Sequence, residues 1–332
     1  MKIVEFQHHQ SAHCENGVAS NVLKFNGLDI SEPLVFGIGS GIFYVYIPFL
    51  KVNHAPAISY RPMPGIIFSR AAKQLNIKIK RERFSNEEKA FAALDRNLDL
   101  GIPSGLQVGV YHLPYFPDEY RFHFNAHNLV VYGKEGDNYL ISDPVMETTS
   151  VLTKKELAKV RFAKGAFAPK GHMYYPTSVP TEVNIEKAVL SGIKKTTKDM
   201  LAPVPLVGVN GIKFVGKKVA KWPKKVGIKK ANHYLAQIIR MQEEIGTGGG
   251  GFRFIYAAFL QEAATILGNP SLNDLSQNMT EIGDDWRDFA LHASRVCKER
   301  VKDDNAYQQL SEMMIDISDK ERKLFTDLKK SL

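Results

Sequence analysis

Cys14 heads the stretch CENGVASNVLKF, in which Val18, Val22 and Phe25 recur at spacings of four and three, the stripe of a short amphipathic helix. A thiol in the first turn of a helix faces the positive end of the backbone dipoles, which favours the thiolate, the form that attacks a carbonyl carbon. His127 opens HNLVVYG, and Asp143 closes YLISDP 16 residues later. With KEGD between the two runs as a tight turn around Gly136, antiparallel pairing brings Asp143 near His127. A carboxylate there holds the imidazole tautomer that takes a proton from sulfur. Such a trio performs acyl transfer through a covalent thioester on the cysteine. The competing readings are a buried structural cysteine and an Asp that caps a turn before Pro144. His123 is the local rival to His127 but lacks the β-run that follows. The two histidines have the spacing of zinc ligands without a convincing third, so no metal is expected.

The elements that must position these residues read as follows. After the Cys14 helix, Asn26-Gly27 stops the chain. LDISEPLVFGIGSGIFYVYIPF is an apolar stretch interrupted by glycines, with Ser31 as a helix N-cap. Ile66–Leu75 is expected as a helix and Asn76–Lys80 as a short strand. Ser85 and Glu88 have the spacing of a capping box at the start of a helix that runs towards Leu98. Leu106–His112, Asn128–Gly133, Asn138–Ser142 and His172–Tyr175 read as strands, with Thr153 capping the helix KKELAKVR between the last two. Helix first and sheet second is an α+β order. Pro176–Pro180 reads as a linker. A helix over Val183–Leu201 is followed by a basic stretch broken by Pro and Gly up to Lys230. A helix with Tyr234, Ile238, Met241 and Ile245 on one face comes next, GTGGGG interrupts it, and Phe252–Leu267, Leu275–Arg300 and Ala306–Leu328 close the chain. The expected division is a catalytic domain over 1–176 and an all-helical domain over 182–332.

A cysteine at a helix start, then a histidine at a strand start, then an aspartate at a strand end follows the chain order of papain-like enzymes. The stretch HCENGVASNVLKFNGLDISEPLVFGIGSG, with HNLVVYG and YLISDP, resembles the N-terminal domain of the BtrH-like family, named for the butirosin-biosynthesis acyltransferase. EEIGTGGGGFRFIYAAFLQEAA and IGDDWRDFA resemble the helical domain that often follows it. The His-Asp-Pro pattern is also similar to leader peptidases of bacteriocin exporters. The resemblance implies a papain-like fold. It also implies acyl transfer from the phosphopantetheine thioester of an acidic acyl carrier protein to an amine or hydroxyl acceptor, a small molecule or a lipid. Cys14 takes the acyl group and His127 is the base. It further implies that Ser31 and Glu32 are the family's Ser-Glu pair, and that His13, Ser31, Glu32, Gly37, Gly39 and Gly41 line the substrate site. No resident cofactor is implied. A departure concerns the oxyanion glutamine that papain-like peptidases carry six residues before the cysteine: here that position is His8, with Gln7 and Gln10 out of register.

The whole chain narrows the alternatives. Its 332 residues suit two domains. Two cysteines in such a length are no disulfide scaffold. The N-terminus MKIVEFQHHQ lacks the apolar core of a signal peptide, and apolar runs are broken by Gly and Pro, so a cytoplasmic protein without membrane spans is expected. The net charge of +9 favours acidic partners, and its excess is concentrated between Lys194 and Lys230. That segment lacks interleaved aromatics and any nucleic-acid module, which argues against nucleic acid. The Gly37–Gly41 run lacks the strand-then-helix setting of a dinucleotide fingerprint. GTGGGG at 246–251 lacks the Lys-Ser/Thr of a phosphate loop and reads as a flexible joint, with Arg253 beside it suited to a phosphate or a carboxylate. A peptidase or amidase with the same trio, a catalytically inactive docking protein, and a homodimer built on the helical domain are the remaining expectations.

Overall fold

A computed structural model of the chain describes residues 2–3, 5–298, 300 and 305–332. In chain order the elements are β1 (Lys2–Ile3), α1 (Cys14–Phe25), α2 (Glu32–Ile38), β2 (Val45–Val52), β3 (Ala55–Ser59), α3 (Ile66–Gln74), β4 (Lys78–Glu82), α4 (Glu87–Asp99), β5 (Ser104–Val108), β6 (His127–Glu135), β7 (Asn138–Ser142), β8 (Ser150–Thr153), α5 (Lys154–Arg161) and β9 (Met173–Ser178). Seven helices follow: α6 (Ile185–Met200), α7 (Gly208–Val219), α8 (Trp222–Val226), α9 (Ile228–Ile239), α10 (Arg253–Ile266), α11 (Ser271–Cys297) and α12 (Ala306–Lys330). The fold is α+β, with a sheet in the N-terminal part and helices after it.

The chain forms two compact units that are not contiguous in sequence. One comprises Met1–Val35 and Phe68–Val183; the other comprises Phe36–Ile67 and Asn184–Leu332. The expected single boundary after 1–176 is therefore corrected on two points. Strand β9 runs on to Ser178 through the expected linker, because Ile79 and Lys78 of β4 pair with Pro176 and Ser178. Residues 36–67 group with the helices, because Phe36, Tyr44 and Tyr60 pack there: Phe36 stacks on Phe252 and Tyr60 meets Trp286 edge-on.

In the first unit an antiparallel sheet has the order β4-β9-β5-β6-β7-β8, with β1 paired to the far end of β6. Strand alternation gives β6 two faces. Leu129 and Val131 join a core with Phe91, Leu94 and Leu98 of α4, Leu157 and Val160 of α5, and Leu106 of β5. Helix α1 packs against β6, β5 and β9 and is buried from Cys14 through Leu23. The Thr153 cap expected at α5 is present, and Glu156 completes it as a capping box by exchanging hydrogen bonds with Thr153. At α4 the cap is Asn86, which accepts from Lys89 N–H, one residue beyond the expected Ser85. Leu106–His112 is strand only to Val108; Val110–His112 is a single 3-10 turn.

The second unit holds helices α6–α12 and the β2–β3 hairpin. The basic stretch after α6 is ordered as α7, α8 and the start of α9 rather than as broken chain. GTGGGG is a compact buried turn rather than a flexible joint. Thr247 Oγ1 donates to Gln242 O and accepts from Gly249 N–H, while Glu243 Oε1 accepts from Gly250 N–H. Gly248 to Gly251 all have positive φ, which only glycine adopts without strain in succession. Arg253, expected to meet a phosphate or a carboxylate, is wholly buried and forks onto Glu321 at 2.9 and 3.0 Å; Trp286 Nε1–H donates to the same carboxylate.

Candidate active site

Helix α1 begins at Cys14 with no side-chain cap on its N-terminus: His13 is the N-cap residue, in extended conformation, and its ring makes no capping bond. The first N–H groups of a helix have no partner inside it, so the thiol sits at the positive end of the helix dipole. The loop ahead of Cys14 is held from α2. Glu32 accepts from Ala12 N–H at 2.9 Å through Oε2 and from His13 N–H at 2.7 Å through Oε1. Burial raises the Glu32 carboxyl above its ordinary range, and the two N–H donors partly offset this.

β6 and β7 bring the other two residues together. Val130 pairs with Ser142, so Asp143 leaves β7 at the end where His127 enters β6. His127 Nε2–H donates to Asp143 Oδ2 at 2.7 Å, and Cys14 lies close enough to the imidazole to raise it. Cys14 and His127 are each 5% exposed and Asp143 is 0% exposed. Asp143 accepts two further bonds, from Tyr115 O–H at 2.9 Å and from Val145 N–H at 3.2 Å. Burial, reinforced by Asp143, holds the Tyr115 phenol far above its ordinary range, so the hydroxyl remains a donor. Burial pulls the His127 imidazole down, but the charge of Asp143, then that of Cys14, and their hydrogen bonds outweigh it and raise it to about 10. The trio therefore holds a charged imidazole between the Cys14 sulfur and the Asp143 carboxyl, an arrangement suited to nucleophilic attack by sulfur.

Three neighbours lay outside the expected set. Asn128 Nδ2 stands 3.8 Å from Cys14 Sγ and also donates to Ala126 O, while its Oδ1 accepts from Tyr174 O–H at 2.9 Å. Tyr174 thus fixes the amide with its donor end towards the sulfur. Tyr115 is the second and Phe116 the third, its ring meeting His127 edge-on at 5.5 Å. The irregular stretch that carries Tyr115 and Phe116 offers no periodicity. Asn128 follows His127 on a strand, where adjacent side chains part to opposite faces, so sequence gives no reason to group them. His123, the rival base, stacks flat on Tyr111 at 4.2 Å. Among the described residues no group of three or more His, Cys, Asp or Glu is placed to hold a metal ion.

The residues expected to line the substrate site lie otherwise. His13 is buried beside Cys14. Ser31 caps α2, its Oγ accepting from Leu34 N–H at 3.1 Å, and Glu32 is occupied by backbone. These are positioning roles. Gly37, Gly39 and Gly41 are packing contacts of the second unit. A methyl group at Gly37 would overlap the Phe259 ring, one at Gly39 the carbonyl of Ile67, and one at Gly41 the ring of Phe36. Their lack of a side chain is needed for this close packing. His8, in the place of the peptidase glutamine, is tied by Nδ1 to Ser142 Oγ and by Nε2 to Met146 O.

Residues 13–144 match the family described as "Butirosin biosynthesis protein H, N-terminal", and residues 155–328 match the family described as "Domain of unknown function (DUF4872)". No curated protein matches the chain. Among solved structures, a candidate C39-like peptidase from Bacillus anthracis aligns with 54% of this chain and 100% of its own at 13% identity and a TM-score of 0.36, a likeness too slight to bear on the reading. The chain belongs to the DUF4872 family, with an N-terminal domain of the butirosin biosynthesis protein H kind ahead of it.

Proposed function

We propose that the protein is a cysteine-dependent acyltransferase in the biosynthesis of a secondary metabolite or lipid, with Cys14 as nucleophile, His127 as general acid and base, and Asp143 as the residue that orients His127. The observation that carries the reading is the buried Asp143–His127 pair beside a thiol at a helix N-terminus, in a domain of the butirosin biosynthesis protein H kind. The donor is the phosphopantetheine thioester of an acidic carrier protein, which is substrate rather than resident cofactor, and the net charge of +9 suits it. Cys14 sulfur attacks the thioester carbonyl. The tetrahedral oxyanion meets the N–H of Cys14 and the amide of Asn128. Collapse breaks the bond to the carrier sulfur, which leaves with the proton from His127. An acceptor amine or hydroxyl then gives its proton to His127, attacks the acyl-Cys14 carbonyl and releases the thiolate.

The other chemistry open to the same trio is peptide or amide hydrolysis, with water as acceptor. It is disfavoured because the glutamine such peptidases place six residues before the cysteine is replaced by His8, whose two ring nitrogens are occupied by Ser142 and Met146. The separating experiment supplies an acyl-loaded carrier protein, with and without a panel of amines and alcohols, and follows product by mass spectrometry. Acyl-acceptor product formed faster than free acid supports the transferase. Free acid alone, or cleavage of peptides in preference to the thioester, contradicts it.

A further inference from the structure

The β2–β3 hairpin ends in apolar side chains that the second unit leaves in solvent. Phe49 is 83% exposed, Leu50 50% and Val52 43%. The turn at its tip, Asn53–His54, has positive φ at both residues, the geometry of a tight two-residue hairpin turn, so the tip is a defined structure. It is fixed on α9, where His233 Nε2–H donates to Asn53 O at 2.6 Å and Lys51 Nζ lies 5.5 Å over the Tyr234 ring. Lys229 and Lys230 stand one helical turn before His233 and Tyr234, on the same rows of the helix. Lys224 and Lys225 follow from α8, which meets α9 through Trp222 edge-on to Tyr234 at 5.4 Å. All four lysines are exposed, as is Lys51. The sequence sharpens the asymmetry: no Asp or Glu occurs between residues 33 and 81 or between 200 and 242, the two segments that supply the hairpin and α7–α9.

Lysines alone would fit any acidic partner, the donor carrier protein included. The apolar tip distinguishes the cases. Phe49, Leu50 and Val52 cluster at the end of a hairpin, and a protein partner would need a hollow of matching shape to cover them. The interface of a lipid bilayer accepts apolar side chains without matching shape, while lysine ammonium groups stay at the level of the phosphates. We infer that this face docks the protein on an anionic phospholipid surface, with the hairpin tip inserted among the acyl chains and the α8–α9 lysines on the headgroups. This assignment is independent of the chemistry at Cys14.

The test is flotation of the full chain with vesicles of phosphatidylcholine alone and with about one-third phosphatidylglycerol. Two variants accompany it: Phe49→Ser with Leu50→Ser, and Lys224→Glu with Lys225→Glu. Neither pair lies at the candidate active site, and an unchanged rate of Cys14 alkylation reports that the fold survives. Binding to the anionic vesicles only, falling with added salt and reduced about tenfold or more by each pair of substitutions, is the expected result. In a Phe49→Trp variant, brominated acyl chains should quench emission beyond the level seen for the wild type. Absence of binding to either vesicle overturns the assignment. So does binding that needs the lysines but ignores the Phe49→Ser, Leu50→Ser pair, since that is a surface for an acidic protein.

Discussion

The proposed mechanism turns on the charge of His127. Burial opposes it, yet Asp143 and Cys14 raise the imidazole to about 10, so it carries a proton at neutral pH. Its ordinary value is about 6.5. The raised value means that the paired imidazolium stabilises the fold fully below about pH 6.5, and that this contribution is lost as pH rises through about 10. Iodoacetamide alkylation of Cys14 should therefore remain fast at pH 6.5 in the wild type and fall about tenfold or more in His127→Ala, where the compensating cation is gone. Equal rates in the two proteins at that pH would show that the imidazolium does not support the thiolate. Asn128 makes a separate claim. Replacing it with Leu keeps a buried side chain but removes the donor 3.8 Å from sulfur. Acylation by a thioester is expected to slow by about 10²-fold, with alkylation much less affected, as single-turnover kinetics would read.

At the level of elements, the segment before α1 owes its placement to one side chain. Glu32→Ala removes the acceptor for Ala12 and His13 N–H and should cost about 1–3 kcal/mol, the range for leaving polar groups unmatched. Glu32→Gln, which retains one acceptor oxygen, should cost less, and urea unfolding measures both. The elements that bear the trio were legible in the sequence because each has a simple signal: the 3.6-residue stripe of α1 and the alternating β6 and β7 around KEGD. Asp143 close to His127 followed from that hairpin. The β2–β3 hairpin was not legible. Its turn uses Asn53 and His54 in place of glycine, and a register shift between Ile47 and Lys51 breaks the alternation. Glycines misled in two places. At Gly37–Gly41 the absent side chain admits Phe259 and Phe36, and at 246–251 a run that reads as loose chain is pinned by Thr247 and Glu243. Both outcomes depend on contacts that periodicity does not encode: Phe259 lies 222 positions from Gly37, and the 246–251 turn is set by local hydrogen bonds.

For the molecule as a whole, the division of the chain has a practical consequence. Residues 36–67 belong with the helices, where Tyr44 and Tyr60 are buried against each other and Tyr60 against Trp286. A fragment ending at residue 182 keeps this segment but loses its packing partners, so it should aggregate or be degraded, whereas a contiguous catalytic domain would fold alone. Size-exclusion chromatography and circular dichroism of the fragment distinguish the two. No described helix is long and apolar enough to cross a membrane. The claim on which the rest depends concerns which sulfur reacts. Cys14 and Cys297 are both free thiols, and burial pushes the Cys297 thiol up to about 11. The most direct measurement is peptide mapping of the full-length protein after reaction with an acyl-phosphopantetheine thioester. The acyl mass is expected on the peptide that contains Cys14, absent from Cys297, and lost in Cys14→Ala. Acyl groups on Cys297, on lysines, or on neither cysteine across a panel of chain lengths would contradict the account.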